Sequence, residues 1–297
     1  MKVVSLSTSD WSNFQYNFSE SLRSVGVDSS SYVLNSHPFG YPKASEVTTR
    51  EAMTELCRNA DFVIIHHSCN ELLNLIPAVP RIIHYAAGTK YRERYNTMNE
   101  AFKGCHTFYA LPEFAPLVPP GSHYIVGAVD TDYLQPSGYN GGVFAHYPSN
   151  PGVKGTATIN RIMAEFPGID YRTSNERVNW QEQINRISKC DVYIELLAPT
   201  QGGRPYGSFG ITCLEAAALG KLVITQNLTG AELYQDTYDE FPPVEASDEN
   251  QMREAVKAFI DHPFGVLLLG RDHRDWIIRN HSYRATGERV KTILDGL

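Results

Sequence analysis

The feature that most constrains this chain is a rhythm. Short apolar runs of strand length recur from end to end, with helix-length stretches between them. In the first half the runs predict strands at 3–6, 31–34, 62–66, 82–84, 107–109 and 123–126, with helices such as 14–25 and 50–59 falling between them. After an interruption the alternation resumes: strand 143–147, helix 156–166, strand 169–172, helix 180–189, strand 192–196, helix 209–219, strand 222–225. Apolar strands separated by helix-length connections make parallel βαβ units, so the predicted class is α/β with doubly wound sheets. The interruption, Asp130 to Gly142 (D-T-D-Y-L-Q-P-S-G-Y-N-G-G), is rich in turn formers and marks the junction between two Rossmann-like halves. Ligands of such sheets bind beyond the carboxyl ends of the strands, and two halves of this kind predict a cleft between them. The tail, 250–260 and 274–297, reads as helices broken at His262-Pro263-Phe264-Gly265.

Composition narrows the function classes. With 297 residues, 42% hydrophobic and 20% charged, the chain can bury two cores. A formal charge of -7 does not suggest a general polyanion-binding surface. The five cysteines, Cys57, Cys69, Cys105, Cys190 and Cys213, are scattered and form no C-x-x-C pair, so neither a disulfide framework nor a zinc knuckle is indicated. The N-terminus has too short an apolar run for a signal peptide, and no stretch approaches a membrane span; a cytoplasmic protein is expected.

Four constellations could carry chemistry. Tyr147-Pro-Ser149-Asn-Pro-Gly-Val-Lys154-Gly155-Thr156 leaves a strand and enters a helix. Backbone N–H groups at a helix start, a glycine and an ammonium there favour a phosphate, although the Walker spacing is absent; the alternative is a solvated lysine beside a helix cap. In Gly207 to Ile224, Ser208 is placed to cap a helix, Gly210 permits close approach, and Glu215 is the single carboxylate. Such a carboxylate needs donors, either hydroxyls of a ribose or sugar or an arginine elsewhere. Ser9 to Phe14 opens the first helix without the glycines of a dinucleotide fingerprint; Asn13 there could meet an anion or simply cap the helix. His66, His67 and His84 follow strands and could bond a substrate or move a proton, two of the three being structural. Metal-ligand spacings and a nucleophile elbow are absent.

Together these second-half features resemble the GT-B glycosyltransferases, in particular the large retaining family 4. Val143 to Ser149 with Lys154-Gly155-Thr156 is similar to that family's strand, loop and "KG" helix start. Cys190 to Ile194 resembles its "aDv.i" strand, Gly207 to Ile224 its "E-P-F-G-I-x-x-L-E-A-M-A-x-G-x-P-V-I" segment, and Val129 to Pro136 its "vDtd.F.P". The resemblance covers the C-terminal half well. In the N-terminal half it rests on 10–26 and the strand ending at His66.

The resemblance implies a GT-B fold with an acceptor domain at 1–137, a nucleotide-sugar domain at 138–270, and a helical tail, 271–297, packing back on the first domain. It implies Lys154 on the donor diphosphate, Glu215 on the ribose, and Ser208, Phe209, Gly210 and Ile211 along the donor. His66 would touch the donor sugar, and Ser149, Gly155, Arg204 and Asn13 would complete the donor site. The implied reaction moves a sugar from a nucleoside diphosphate sugar, with UDP or GDP as carrier, to a glycan, lipid, small-molecule or modified-nucleobase hydroxyl. It proceeds with retention and without a metal or bound cofactor. Two positions depart from the pattern: Gly207 stands where the family has its first glutamate, and Ser149 where it has an arginine, for which Arg204 is a candidate substitute. These departures keep three other readings open: a silent sugar-nucleotide or glycan-binding module, a sugar-nucleotide epimerase, and a transferase acting on modified bases in DNA.

Overall fold

A computed structural model describes residues 1–77, 81–198, 200–201, 203–207, 210–226, 231–238 and 243–297, without the side chains of 204, 205, 231 and 232. The chain forms two compact units. One is Met1–Ala128 together with His281–Leu297; the other is Val129–Asn280.

Unit 1 begins with β1 (Lys2–Ser7), α1 (Phe14–Ser24), β2 (Asp28–Val33), β3 (Glu46–Val47), α2 (Arg50–Cys57) and β4 (Phe62–Ile65). It continues with β5 (Arg81–Ala86), α3 (Gly88–Ala101), β6 (His106–Tyr109) and β7 (His123–Tyr124). Among the described residues these strands form one sheet in the order β3-β2-β1-β4-β5-β6-β7, with every pairing parallel. Val4, Leu6, Val63 and Ile65 are completely buried, as strands covered on both faces require. Strand order reverses between β1 and β4, so the loops after these two strands flank the crevice where open α/β sheets bind ligands.

Unit 2 contains β8 (Phe144–His146), α4 (Pro151–Lys154), α5 (Thr156–Met163), β9 (Tyr171–Thr173), α6 (Trp180–Ser188) and β10 (Val192–Ile194). Then come β11 (Thr200–Gln201), β12 (Arg204–Pro205), α7 (Ile211–Ala218), β13 (Leu222–Thr225), α8 (Ala231–Tyr238), β14 (Val244–Glu245), α9 (Glu249–Asp261) and α10 (Pro263–His281). Among the described residues, β14-β13-β10-β8-β9 is a parallel sheet, and β11 and β12 form an antiparallel hairpin. The reversal lies between β8 and β10. Phe144, Ile159, Ile194, Leu222, Ile224 and Met252 are at the centre of its core.

The final helix, α11 (Tyr283–Gly296), is capped by Ser282 and returns to unit 1. It lies so close to α1 that a Cβ on Gly287 would come within 2.0 Å of the Ser21 carbonyl oxygen. Tyr283 also donates to Asn17 Oδ1 at 2.9 Å.

Two readings of the tail and the junction differ from this structure. The unit boundary falls before Val129 rather than at 137/138, because Arg274 of α10 donates to the carbonyls of Thr131, Leu134 and Ala218. Asp191 likewise collects the N–H groups of Asn140, Gly142 and Val143 at 2.8–2.9 Å. The expected helix break is present but is confined to His262, between α9 and α10, because Pro263 begins α10 and a first-turn proline sacrifices no helical hydrogen bond.

Candidate functional site

The reversal in unit 2 brings together the chain leaving β8 and the chain leaving β10. After β8, α4 ends at Lys154 and Gly155 turns the chain into α5 with φ +71°. A Cβ at Gly155 would sit 1.8 Å from the Leu197 carbonyl oxygen, and Leu197 N–H donates to Lys154 O at 3.1 Å. The loop after β10 is thus locked against the Lys154 turn. His146, fully buried, adds a second tie: one ring nitrogen meets Ile194 O at 2.8 Å and the other Thr156 Oγ1 at 2.9 Å. Burial holds this imidazole down to about 4, so it is neutral, with Nδ1–H donating to the carbonyl and Nε2 accepting from the threonine.

Lys154 forms an ion pair with Glu195, the residue that follows β10. Burial works to lower the lysine's pKa, but Glu195 outweighs it and the net shift is upward, so the ammonium is held charged. Gly210, which precedes α7, lies against this pair; a Cβ there would be 3.1 Å from Glu195 Oε1 and 3.5 Å from Lys154 Nζ. Ile211 opens α7 and is half-buried.

Glu215 is buried in α7, and its Oε1 accepts from Trp180 Nε1 at 2.6 Å. Of the two partners left open by the sequence, neither is what the polypeptide itself supplies; an indole N–H is. Burial pushes the Glu215 carboxyl up to about 7, with Trp180 opposing the rise and Glu195 adding to it. Gln226, completely buried after β13, exchanges bonds with the Ala198 backbone and donates to Tyr206 O. It fixes the β10 loop against the segment that reaches Gly207, whose φ is +56°.

The remaining expected residues fall as follows. Ser149 is exposed. Arg204 pairs through its backbone with Gln201 in the hairpin, and its side chain lies outside the description; Ser208 and Phe209 lie outside the described residues. Asn13, in unit 1, has φ 53° and donates to Lys43 O at 2.9 Å. His66 is fully enclosed in unit 1 by the rings of Phe14, Phe18 and Tyr85, and meets Ser5 Oγ at 3.3 Å. Contact between His66 and a donor sugar would require that cage to open. The next residue, His67, is the one that reaches a carboxylate, with Nε2 3.5 Å from Asp10.

Glu195, Trp180, His146 and Gln226 were not singled out in the sequence. Three of them carry a common signal, a polar side chain at or just after the end of a fully buried strand.

Solved structures share this fold across the whole chain. Anabaena HepE, solved with UDP-glucose, matches with a TM-score of 0.71 over 100% of both chains at 10% identity. Sucrose-phosphate synthase of Thermosynechococcus elongatus matches with a TM-score of 0.68 over 100% of this chain and 99% of that one, at 12% identity. The fold is GT-B.

Within this GT-B chain a sequence relative is also found. It is the GDP-mannose-dependent monoacylated alpha-(1-6)-phosphatidylinositol monomannoside mannosyltransferase of Corynebacterium glutamicum, 28% identical over 123 residues. The match takes in 40% of this chain and 31% of that protein's length. No family profile matches the chain. Among the described residues of this GT-B structure, no helix is long and apolar enough to cross a membrane, and no three His, Cys, Asp or Glu are grouped as a metal site.

Proposed function

We propose that the protein transfers a sugar from a nucleoside diphosphate sugar to an acceptor hydroxyl, with retention at the anomeric carbon and without a resident metal. The observation that carries this reading is the charged Lys154 ammonium at the strand reversal of unit 2. It lies where the loops after β8 and β10 converge, as a diphosphate's binding cation would. In the transition state negative charge accumulates on the departing diphosphate, and a preorganised ammonium stabilises it more than it stabilises the ground state. The first N–H groups of α7, beginning beside Gly210, supply further donors. Glu215 accepts the ribose hydroxyls, Gly155 and Ile211 line the donor, and Arg204 adds a second cation.

The bond from the anomeric carbon to the phosphate oxygen breaks as the bond to the acceptor oxygen forms on the same face. The acceptor's proton passes to the departing phosphate oxygen, so no protein base is needed. UDP and GDP are the carriers of choice, given the UDP-glucose complex of HepE and the GDP-mannose requirement of the corynebacterial relative.

A thermal-shift series with UDP, GDP, ADP, dTDP and CMP tests this. A ligand of the native state at one hundred times its dissociation constant adds about 2.7 kcal/mol of apparent stability. At least one diphosphate should shift wild type, and Lys154→Ala should lose most of the shift while remaining folded. No response to any nucleotide, or full affinity in Lys154→Ala, defeats the reading. The pairing of Lys154 with Glu195 favours a second reading, a module that binds nucleotide without turnover. Release of free diphosphate from a bound sugar nucleotide separates the two.

A further inference from the structure

The Lys154 ammonium is engaged by a carboxylate, and that carboxylate has to go somewhere when a diphosphate arrives. Glu195 is the first residue beyond β10. Its N–H still pairs with Ile224 O at 2.9 Å, so its main chain remains tied to the sheet and the side chain alone projects past the strand ends. Its side chain is 1% exposed. A buried ion pair contributes little net stability, because desolvating both charges offsets most of their attraction. The pair is therefore poorly explained as a stabilising device.

Gly210 supplies a second observation. Its φ of -118° is open to any residue, so the glycine is not there for its backbone. What it provides is the absence of a side chain beside Glu195 Oε1 and Lys154 Nζ. A side chain at this position would crowd both charged groups. Among the described residues, Gly207, nearby in the same segment, would bring a Cβ within 4 Å of the Leu196 side chain alone, and it offers no polar group of its own.

We propose that Glu195 is the residue that recognises the donor sugar: its carboxylate is the resting counter-ion of Lys154, and it accepts hydroxyl groups of the hexose once a diphosphate takes the ammonium. This rests on the reading of unit 2 as a sugar-nucleotide site. A diphosphate carries more negative charge than a carboxylate and competes for the same three ammonium donors. The displaced carboxylate then needs donors in a site nearly closed to water, and vicinal hydroxyls meet both of its oxygens. Free diphosphate, by contrast, gains nothing from Glu195 and is repelled by it. The two ligands should therefore respond to this residue with opposite signs.

Calorimetric titration of the full chain with UDP and UDP-glucose, and with GDP and GDP-mannose as the second pair, reads this directly. Glu195→Gln removes a negative charge from beside the diphosphate and should bind the free diphosphate about tenfold more tightly. It should lose the increment due to the sugar, so that the ratio of the two dissociation constants changes by about tenfold or more. Glu195→Asp keeps the charge but withdraws it by one methylene. It should lose the sugar increment without gaining diphosphate affinity, and it decides the matter if the glutamine variant does not fold. Equal weakening of both ligands, or no change in their ratio, overturns the proposal and leaves Glu195 a structural partner of Lys154. A wild type that binds none of the four ligands removes the underlying reading as well, an outcome distinct from binding with an unchanged ratio.

Discussion

Glu215 begins from an ordinary carboxyl value of 4.5 and is pushed up to about 7 in the folded chain, first by burial and then by Glu195, with Trp180 Nε1 opposing. The folded state therefore holds a proton that the unfolded state has already released between these two values. Stability declines as pH rises from 4.5 to 7 and is lower thereafter, by on the order of 3 kcal/mol. Glu215→Gln keeps an acceptor for Trp180 and removes the titration. It should melt at a higher temperature than wild type at pH 8, with the difference vanishing below pH 4.5, while losing nucleotide affinity. Matched melting at pH 8 would count against a strained carboxyl. The sequence exposed Glu215 because it is isolated among apolar neighbours. It concealed Trp180, because an aromatic at the start of an amphipathic helix looks like ordinary packing until the fold brings α6 alongside α7. Glu195 was hidden for a related reason: it stands inside the predicted strand 192–196, where one carboxylate reads as an outward-facing strand position, and only the partner 41 residues earlier in the chain changes that.

At the level of elements, the turn between α4 and α5 is the part of the site with least freedom. Gly155 combines a left-handed backbone with the Leu197 carbonyl where a side chain would be. Gly155→Ala should cost about 3 kcal/mol or more, from the strained φ and the displaced β10 loop together. Denaturant titration checks the magnitude, and nucleotide titration of the folded fraction should show weakened binding through movement of Lys154. A loss under 1 kcal/mol would mean that the two loops are not locked. The strands that build this framework were legible in the sequence because they are short, apolar and evenly spaced: β1, β4, β8, β10 and β13 lie within two residues of their predicted positions. The edge strands β3 and β14, two residues each, carry no period to read. Helix α3 falls between the predicted strands 82–84 and 107–109, where a helix is expected, but its ends were not legible, because only Tyr91 and Met98 of its fourteen residues are buried, too sparse for an apolar stripe.

The two units should part company in acid. Unit 1 buries His66, His84 and His281; burial holds His84 and His281 down to about 3 and His66 well below its usual range. Their neutral forms contribute stability that is complete above the unfolded value of 6.5 and is lost as pH falls toward the folded values. Unit 2 buries His146, held down to about 4, and His273, whose Nδ1 accepts from Val223 N–H at 3.0 Å, but its Glu215 titrates in the opposite sense and offsets part of the loss. Between pH 6.5 and 4, amide exchange should show β1, β4 and β5 losing protection before β8, β10 and β13. The reverse order would contradict this assignment. Two halves were visible in the sequence because 130–142 is full of turn formers, but the true seam was not. It is set by Arg274 and Asp191 reaching back across the chain, and by a helix that belongs to the unit left behind at Ala128.

That arrangement has a consequence during synthesis. A ribosome releases the strands of unit 1 first, yet the surface of α1 that receives Gly287 and Tyr283 stays uncovered while the whole of Val129–Asn280 is made. Unit 2 has every one of its segments in hand earlier than unit 1 does. The half translated first is the half that must wait, and in a nascent chain α1 is the face that a chaperone would have reason to hold.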